Sequence, residues 1–104
     1  MDDVRTYTGT LVADLVLPGA RSLKERRAPL RALVQRLRNR DLAAAQVGPA
    51  DRLQRVFLAV AAVSGSEGGV GELLDAAERI LFASDFEVGA VTREIRVDTF
   101  ASGT

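Results

Sequence analysis

The chain has 104 residues, 47% of them hydrophobic and 27% charged, with 14 basic and 14 acidic side chains and no net charge. That length suits one domain with a modest core. It holds neither cysteine nor histidine, which excludes disulfide frameworks, Cys/His zinc sites, thiol nucleophiles, Ser–His pairs and imidazole acid–base chemistry.

The opening Met1-Asp2-Asp3-Val4-Arg5 lacks the apolar stretch of a secretory signal. The longest apolar run, Val56 to Val63, is 8 residues, far short of the ~18–20 needed to cross a bilayer. The expectation is a cytoplasmic protein without a membrane partner. A first strand is predicted over Thr8–Leu17, with Leu11, Ala13, Leu15 and Leu17 on one face at period two. Pro18-Gly19 ends it as a turn.

Ser22 is a suitable N-cap for the segment that follows, and Arg26 is read at the place that would close a capping box. Leu23, Leu30, Leu33, Val34 and Leu37 recur at helical spacing up to about Arg40. Pro29 would remove the hydrogen bond to the Glu25 carbonyl and costs about 3 kcal/mol inside a helix. The expectation is therefore a helix with a kink or an irregular first turn; the alternative is a straight helix opening at Pro29.

A weak strand is expected near Leu42–Val47, a loop at Gly48-Pro49-Ala50-Asp51, and a strong strand over Leu53–Ser64. Ser64 to Gly69 reads as a flexible connection, with Gly68-Gly69 as a hinge or helix approach. Val70, Leu73, Leu74, Ala77, Ile80 and Leu81 then form one apolar helix stripe. Phe86–Val97 reads as the last strand, the domain is expected to end at residue 98, and residues 99–104 as a flexible tail.

This order, strand, helix, strand, strand, helix, strand, is that of an α+β, ferredoxin-like two-layer sandwich: a four-stranded antiparallel sheet with two helices on one face. Right-handed crossovers place the first and third strands at its centre. The third strand is apolar on both faces, so the side away from the helices should carry a patch of Val12, Val16, Phe57, Ala59, Ala61 and Val63. A second copy of the sheet, in a homodimer or higher oligomer, is the expected cover; the alternative is a small-residue face that tolerates water.

Charge is unevenly spread. Between Arg21 and Arg40 stand 8 basic residues and the single acid Glu25, a net +7 balanced by −7 over the rest. On a helix turning 100° per residue, Lys24, Arg27, Arg31, Gln35 and Arg38 fall within about 80°, one outward stripe with no acidic partner. Arg21, Lys24, Arg26 and Arg27 lie at the helix N-terminus, where cations oppose the macrodipole and a bound anion would reverse the sign. Arg21, Lys24, Arg26, Arg27, Arg31 and Arg38 are accordingly the candidate phosphate contacts; a merely solvated face is the plainer reading. By angle Arg26 falls on the apolar arc, where it must snorkel out or pair with a carboxylate such as Asp14 or Asp98.

No phosphate-cradling glycine loop is present. The few aromatics, Tyr7, Phe57, Phe82, Phe86 and Phe100, do not supply the two or three neighbouring rings that base stacking needs. No catalytic residues, cofactor or metal are expected, because no Asp/Glu pair is placed for acid–base work.

Ser22-Leu23-Lys24-Glu25-Arg26-Arg27, after Leu17-Pro18-Gly19 and before Leu33-Val34-Gln35-Arg36-Leu37-Arg38-Asn39, resembles the YlxP-like family of small bacterial proteins of unknown function. The likeness continues through Asp51-Arg52-Leu53-Gln54-Arg55 and Ala61-Ala62-Val63-Ser64. It implies a ferredoxin-like fold and a setting among translation-initiation and ribosome-maturation factors, with the basic motif carried here by Ser22, Leu23, Lys24, Arg26 and Arg27. The chain departs from that pattern at Asp41-Leu42, where relatives have Phe-Asn, at Gln46 in place of a Glu, and at Leu53 in place of a Trp. The expected function is a non-enzymatic RNA- or ribosome-associated protein that contacts the phosphate backbone; the alternative is an oligomeric small-molecule-binding or regulatory module using the sheet face or dimer seam.

Overall fold

Alternation at period two sorts the central strands into a buried and an open face. In the computed structural model, which describes residues 3–101, these strands are β1 (Asp3–Val16) and β3 (Arg55–Ser64), flanked by β2 (Ala43–Val47) and β4 (Glu87–Ala101) in the order β2-β3-β1-β4. All neighbours are antiparallel. Two helices, α1 (Leu23–Arg38) and α2 (Glu67–Phe82), complete the βαββαβ order of a ferredoxin-like α+β fold. Leu11, Ala13 and Leu15 of β1 and Val56, Leu58, Val60 and Ala62 of β3 form the core with Leu33 and Leu37 of α1 and Val70, Leu74, Ala77 and Leu81 of α2.

Local chemistry sets the element ends. Leu17-Pro18-Gly19-Ala20 is a tight turn in which the Ala20 N–H donates to the Leu17 carbonyl at 3.4 Å, with Pro18 second and Gly19 third at φ 82°; that angle belongs to the type II turn, whose third residue is usually glycine. Gly9, opposite Ala62 and Ile95, lets α2 approach β1, since a Cβ there would overlap Val70 and lie 2.7 Å from Leu74 Cδ1. α1 closes with Asp41 at φ 63°, the Leu42 N–H reaching back to the Leu37 carbonyl at 3.2 Å.

Several expectations change. Pro29 sits inside a helix that runs from Leu23 to Arg38, so α1 neither starts at proline nor breaks there. Packing of Leu33 and Leu37 outweighs the single lost main-chain bond. The capping residue is Glu25, not Arg26: it occupies the third helical position, where its N–H donates to Ser22 Oγ at 3.1 Å and its carboxylate accepts the Arg21 N–H at 2.6 Å. Gly68 and Gly69 belong to the first turn of α2 behind the N-cap Ser66, not to a flexible connection.

The first and last strands, β1 and β4, exceed the lengths expected for them. Residues 3–5 of β1 pair with residues 99–101 of β4, so the start of the expected flexible tail is strand, and residues 102–104 lie outside the described residues. Pairing between β1 and β3 ends at Tyr7–Ser64, and beyond it β1 and β4 continue as a two-stranded ribbon. Main-chain bonds rather than a buried face hold the ribbon, and its apolar pair Val4–Phe100 is exposed.

Candidate nucleic-acid interface

The basic surface is built on α1. Ser22 and Glu25 cap its first turn through main-chain N–H groups, so the single acid of the segment is engaged with the Arg21 N–H. Arg21, Lys24, Arg27, Arg31, Arg36, Arg38 and Arg40 are all exposed. Among the described residues the ion pairs are Arg55–Asp14, Arg93–Asp75, Arg93–Glu78 and Arg96–Asp98. None involves these seven cations. Arg38 is partly engaged, donating to the Ala44 carbonyl at 3.2 Å, and Gln35 bonds Asn39 at 2.9 Å.

Arg26 does not share this surface. Its side chain is buried, 5% exposed, and donates to the main-chain carbonyls of Arg52, of Arg55 at 3.0 Å and of Ala50 at 3.3 Å. Neither Asp14 nor Asp98 is its partner: Asp14 Oδ1 lies 3.1 Å from Arg55 Nε, and Asp98 pairs with Arg96. A guanidinium on the apolar arc finds its acceptors in two carbonyls of the loop before β3 and in that of Arg55, the first residue of the strand. Periodicity marked Arg26 as inward, but only the course of that loop revealed what it holds. Arg36 and Arg40, outside the expected stripe, join Asn39 and Ile80 around a depression of about 240 Å³ beside α2; the charge count included them, but helical angle alone did not place them.

The other helix has the opposite sign. Glu67, Glu72, Asp75 and Glu78 of α2 face only Arg79 on the same helix. Arg93 of β4 answers two of these acids, at 2.8 Å to Asp75 Oδ1 and in contact with Glu78 Oε2. Partial burial of the Arg93 guanidinium works against its charge, but the carboxylates of Asp75 and Glu78 outweigh it and hold its pKa above the ordinary arginine value.

Away from the helices, Val12, Val16, Phe57, Ala59, Ala61 and Val63 share the open face of the sheet, opposite the Leu11 and Leu58 side. The rows are Ala43–Ala61–Thr10–Glu94, then Ala45–Ala59–Val12–Thr92. Small side chains leave a shallow apolar depression of about 210 Å³ lined by Thr10, Ala43, Ala45, Ala59 and Ala61. Among the described residues no cluster of three or more acidic, cysteine or histidine side chains is arranged to hold a metal, and no helix is long and apolar enough to cross a membrane.

The family description "protein of unknown function (DUF503)" matches residues 8–94, both helices included. The chain belongs to the DUF503 family. That description assigns no activity to a DUF503 domain. No curated protein matches the chain. Among solved structures, this DUF503 domain is similar to the de novo designed protein Ferredog-Diesel at 17% identity and TM-score 0.44, covering 88% of this chain and 83% of that one. It is similar to the structural-genomics protein YJCS at 13% identity and TM-score 0.45, covering 84% and 96%. A PII-like signalling protein from Thermus thermophilus aligns at 21% identity and TM-score 0.41, covering 96% and 92%.

Proposed function

We propose that this protein is a non-enzymatic, ribosome-associated factor, related to the YlxP-like group, that grips the phosphate backbone of RNA with α1. The observation that carries this reading is the row of exposed cations Lys24, Arg27 and Arg31 with Arg21 at its start, and Arg36 and Arg40 on the flank towards α2, none with an ion-pair partner among the described residues. Arg21 and Lys24 stand at the N-terminus of α1, where each unanswered cation is unfavourable by about 0.3–1 kcal/mol. A phosphate there meets the side chains together with the Leu23 and Lys24 N–H groups, the first-turn donors that neither Ser22 nor Glu25 takes. With few aromatics and none grouped as a stacking platform, the contact reads backbone and shape rather than base sequence.

The test is binding of a structured RNA fragment as a function of salt, together with co-sedimentation of the protein with ribosomal particles at low and moderate salt. Lys24→Glu, Arg27→Glu and Arg31→Glu combined should weaken binding and flatten the salt dependence by about two to three units of slope. Co-sedimentation at low salt should be lost with it. Unchanged affinity and slope would exclude α1 as the contact. A second reading, a small-molecule-binding module, rests on the alanine-floored depression of the open sheet face; a ligand-dependent rise in melting temperature that Ala59→Leu abolishes would favour it.

A further inference from the structure

We infer that a second copy of this chain pairs with the first along β4, antiparallel, with Ile95 on the two-fold axis. β4 is the edge of the sheet next to β1, and its 15 residues leave one side of the main chain without a partner strand among the described residues. Natural edges are blunted by shortness, proline, lysine or a bulge; β4 is long, holds neither proline nor lysine, and carries its bulge at residues 89–90, leaving Val91–Ala101 in regular pairing with β1. It exposes apolar side chains instead: Ile95 is 38% open, Val97 55% and Phe100 67%. An edge this long, with those side chains, is a template for another strand.

The charges on β4 select the register. In a symmetric antiparallel pair each face of the sheet stays on its own side only when the axis passes through a residue. An axis at Arg93, Glu94 or Arg96 sets a charge against its own copy. An axis at Val97 gives Arg96–Asp98 pairs over residues 93–101 but sets Glu94 against Phe100. An axis at Ile95 opposes residues 91–99, clear of the bulge, and sets Glu94 against the partner's Arg96 twice over. On the helix side it brings the two Ile95 side chains together, with Val97 beside the partner's Arg93. The existing Arg96–Asp98 contact, 3.5 Å long with side chains 70% and 61% exposed, is weak enough to be exchanged.

The rest of the molecule accommodates this pairing. α2 packs over β1, β3 and β4 while α1 packs over β2, so pairing along β4 puts the acidic helices at the centre and the basic ones at the two far ends. Arg93 offsets one of the two carboxylate charges of Asp75 and Glu78 beside the axis. Both α1 surfaces stay free.

Sedimentation equilibrium of the full chain tests this. Wild type should sediment at about twice the 11.1 kDa chain mass. Glu94→Arg and Arg96→Glu should each weaken association about tenfold or more, because two cross-strand attractions become two repulsions. Combining them restores both pairs and should restore the dimer, which also shows that the altered strand folds. A monomeric wild type would overturn the inference. So would a dimer indifferent to Glu94→Arg, a double variant that stays dissociated, or a dimer lost only on Ala61→Arg at the open sheet face.

Discussion

Arg26 Nη1 donates to the main-chain carbonyl of Arg55 at 3.0 Å, and the Arg55 side chain in turn lies 3.1 Å from Asp14. The first turn of α1 is thereby tied through the start of β3 to β1. An arginine from the most basic stretch of the chain serves the fold, and the phosphate surface is left to its neighbours.

Replacing it tests that role. Arg26→Met keeps the apolar stem but withdraws donors from the carbonyls of Ala50, Arg52 and Arg55, and should lower unfolding free energy in urea by about 2–4 kcal/mol. Arg26→Lys should recover only part, since one ammonium does not span three acceptors in different directions. Folded Arg26→Lys protein at low temperature should keep wild-type RNA affinity.

Gly9 is predicted to be intolerant of the smallest enlargement. Ala at this position meets the fully buried Val70 and Leu74, and Gly9→Ala should cost about 1–3 kcal/mol. Adding Val70→Ala should return part of that loss, a coupling that a double-mutant cycle in denaturant measures.

Asp41 holds φ 63° just past α1, a conformation glycine adopts without strain. Its carboxylate also sits at the negative end of the helix dipole. Asp41→Gly should therefore stabilise the protein by about 0.5–1 kcal/mol, a rise of several degrees in melting temperature for a domain of this size. Asp41→Val should move it the other way.

Arg93 responds to salt rather than to pH. Its folded pKa is raised above the ordinary arginine value, so its contribution is complete below that value and is lost only as pH climbs through the raised one. Side chains here are 31% exposed for Arg93, 56% for Asp75 and 33% for Glu78. Solvent screening limits the effect: Arg93→Gln should cost about 0.5–1 kcal/mol at low ionic strength and much less in molar salt.

Legibility followed the range of the interaction. The stripes of Leu33 and Leu37 on α1 and of Val70, Leu74 and Leu81 on α2, and the alternation through Leu11, Ala13 and Leu15, are short-range patterns that reappear as the core. Leu23 lies on the same arc by angle yet is 39% exposed, at a depression it shares with Leu30, Gln46 and Ala50 at the start of the helix. Gly68 and Gly69 read as a loop by composition, but the Ser66 cap starts α2 before them. Gly69 is also the residue that fits there, since a Cβ would lie 2.9 Å from Ser66 Oγ.

By itself the amino-acid order determined the sequence of strands and helices, which side of each is buried, and the concentration of positive charge on α1. Those properties are written in periodicities of two and 3.6 residues and in residue type, all within a dozen neighbours. Tertiary structure alone decided that Arg26 turns to three main-chain carbonyls, that Arg93 stands between Asp75 and Glu78, and that Ile95 and Val97 of the edge strand stay open. Each of these depends on groups that only the folded chain brings together, and local pattern carries no information about which distant carbonyl or edge will lie beside a given side chain.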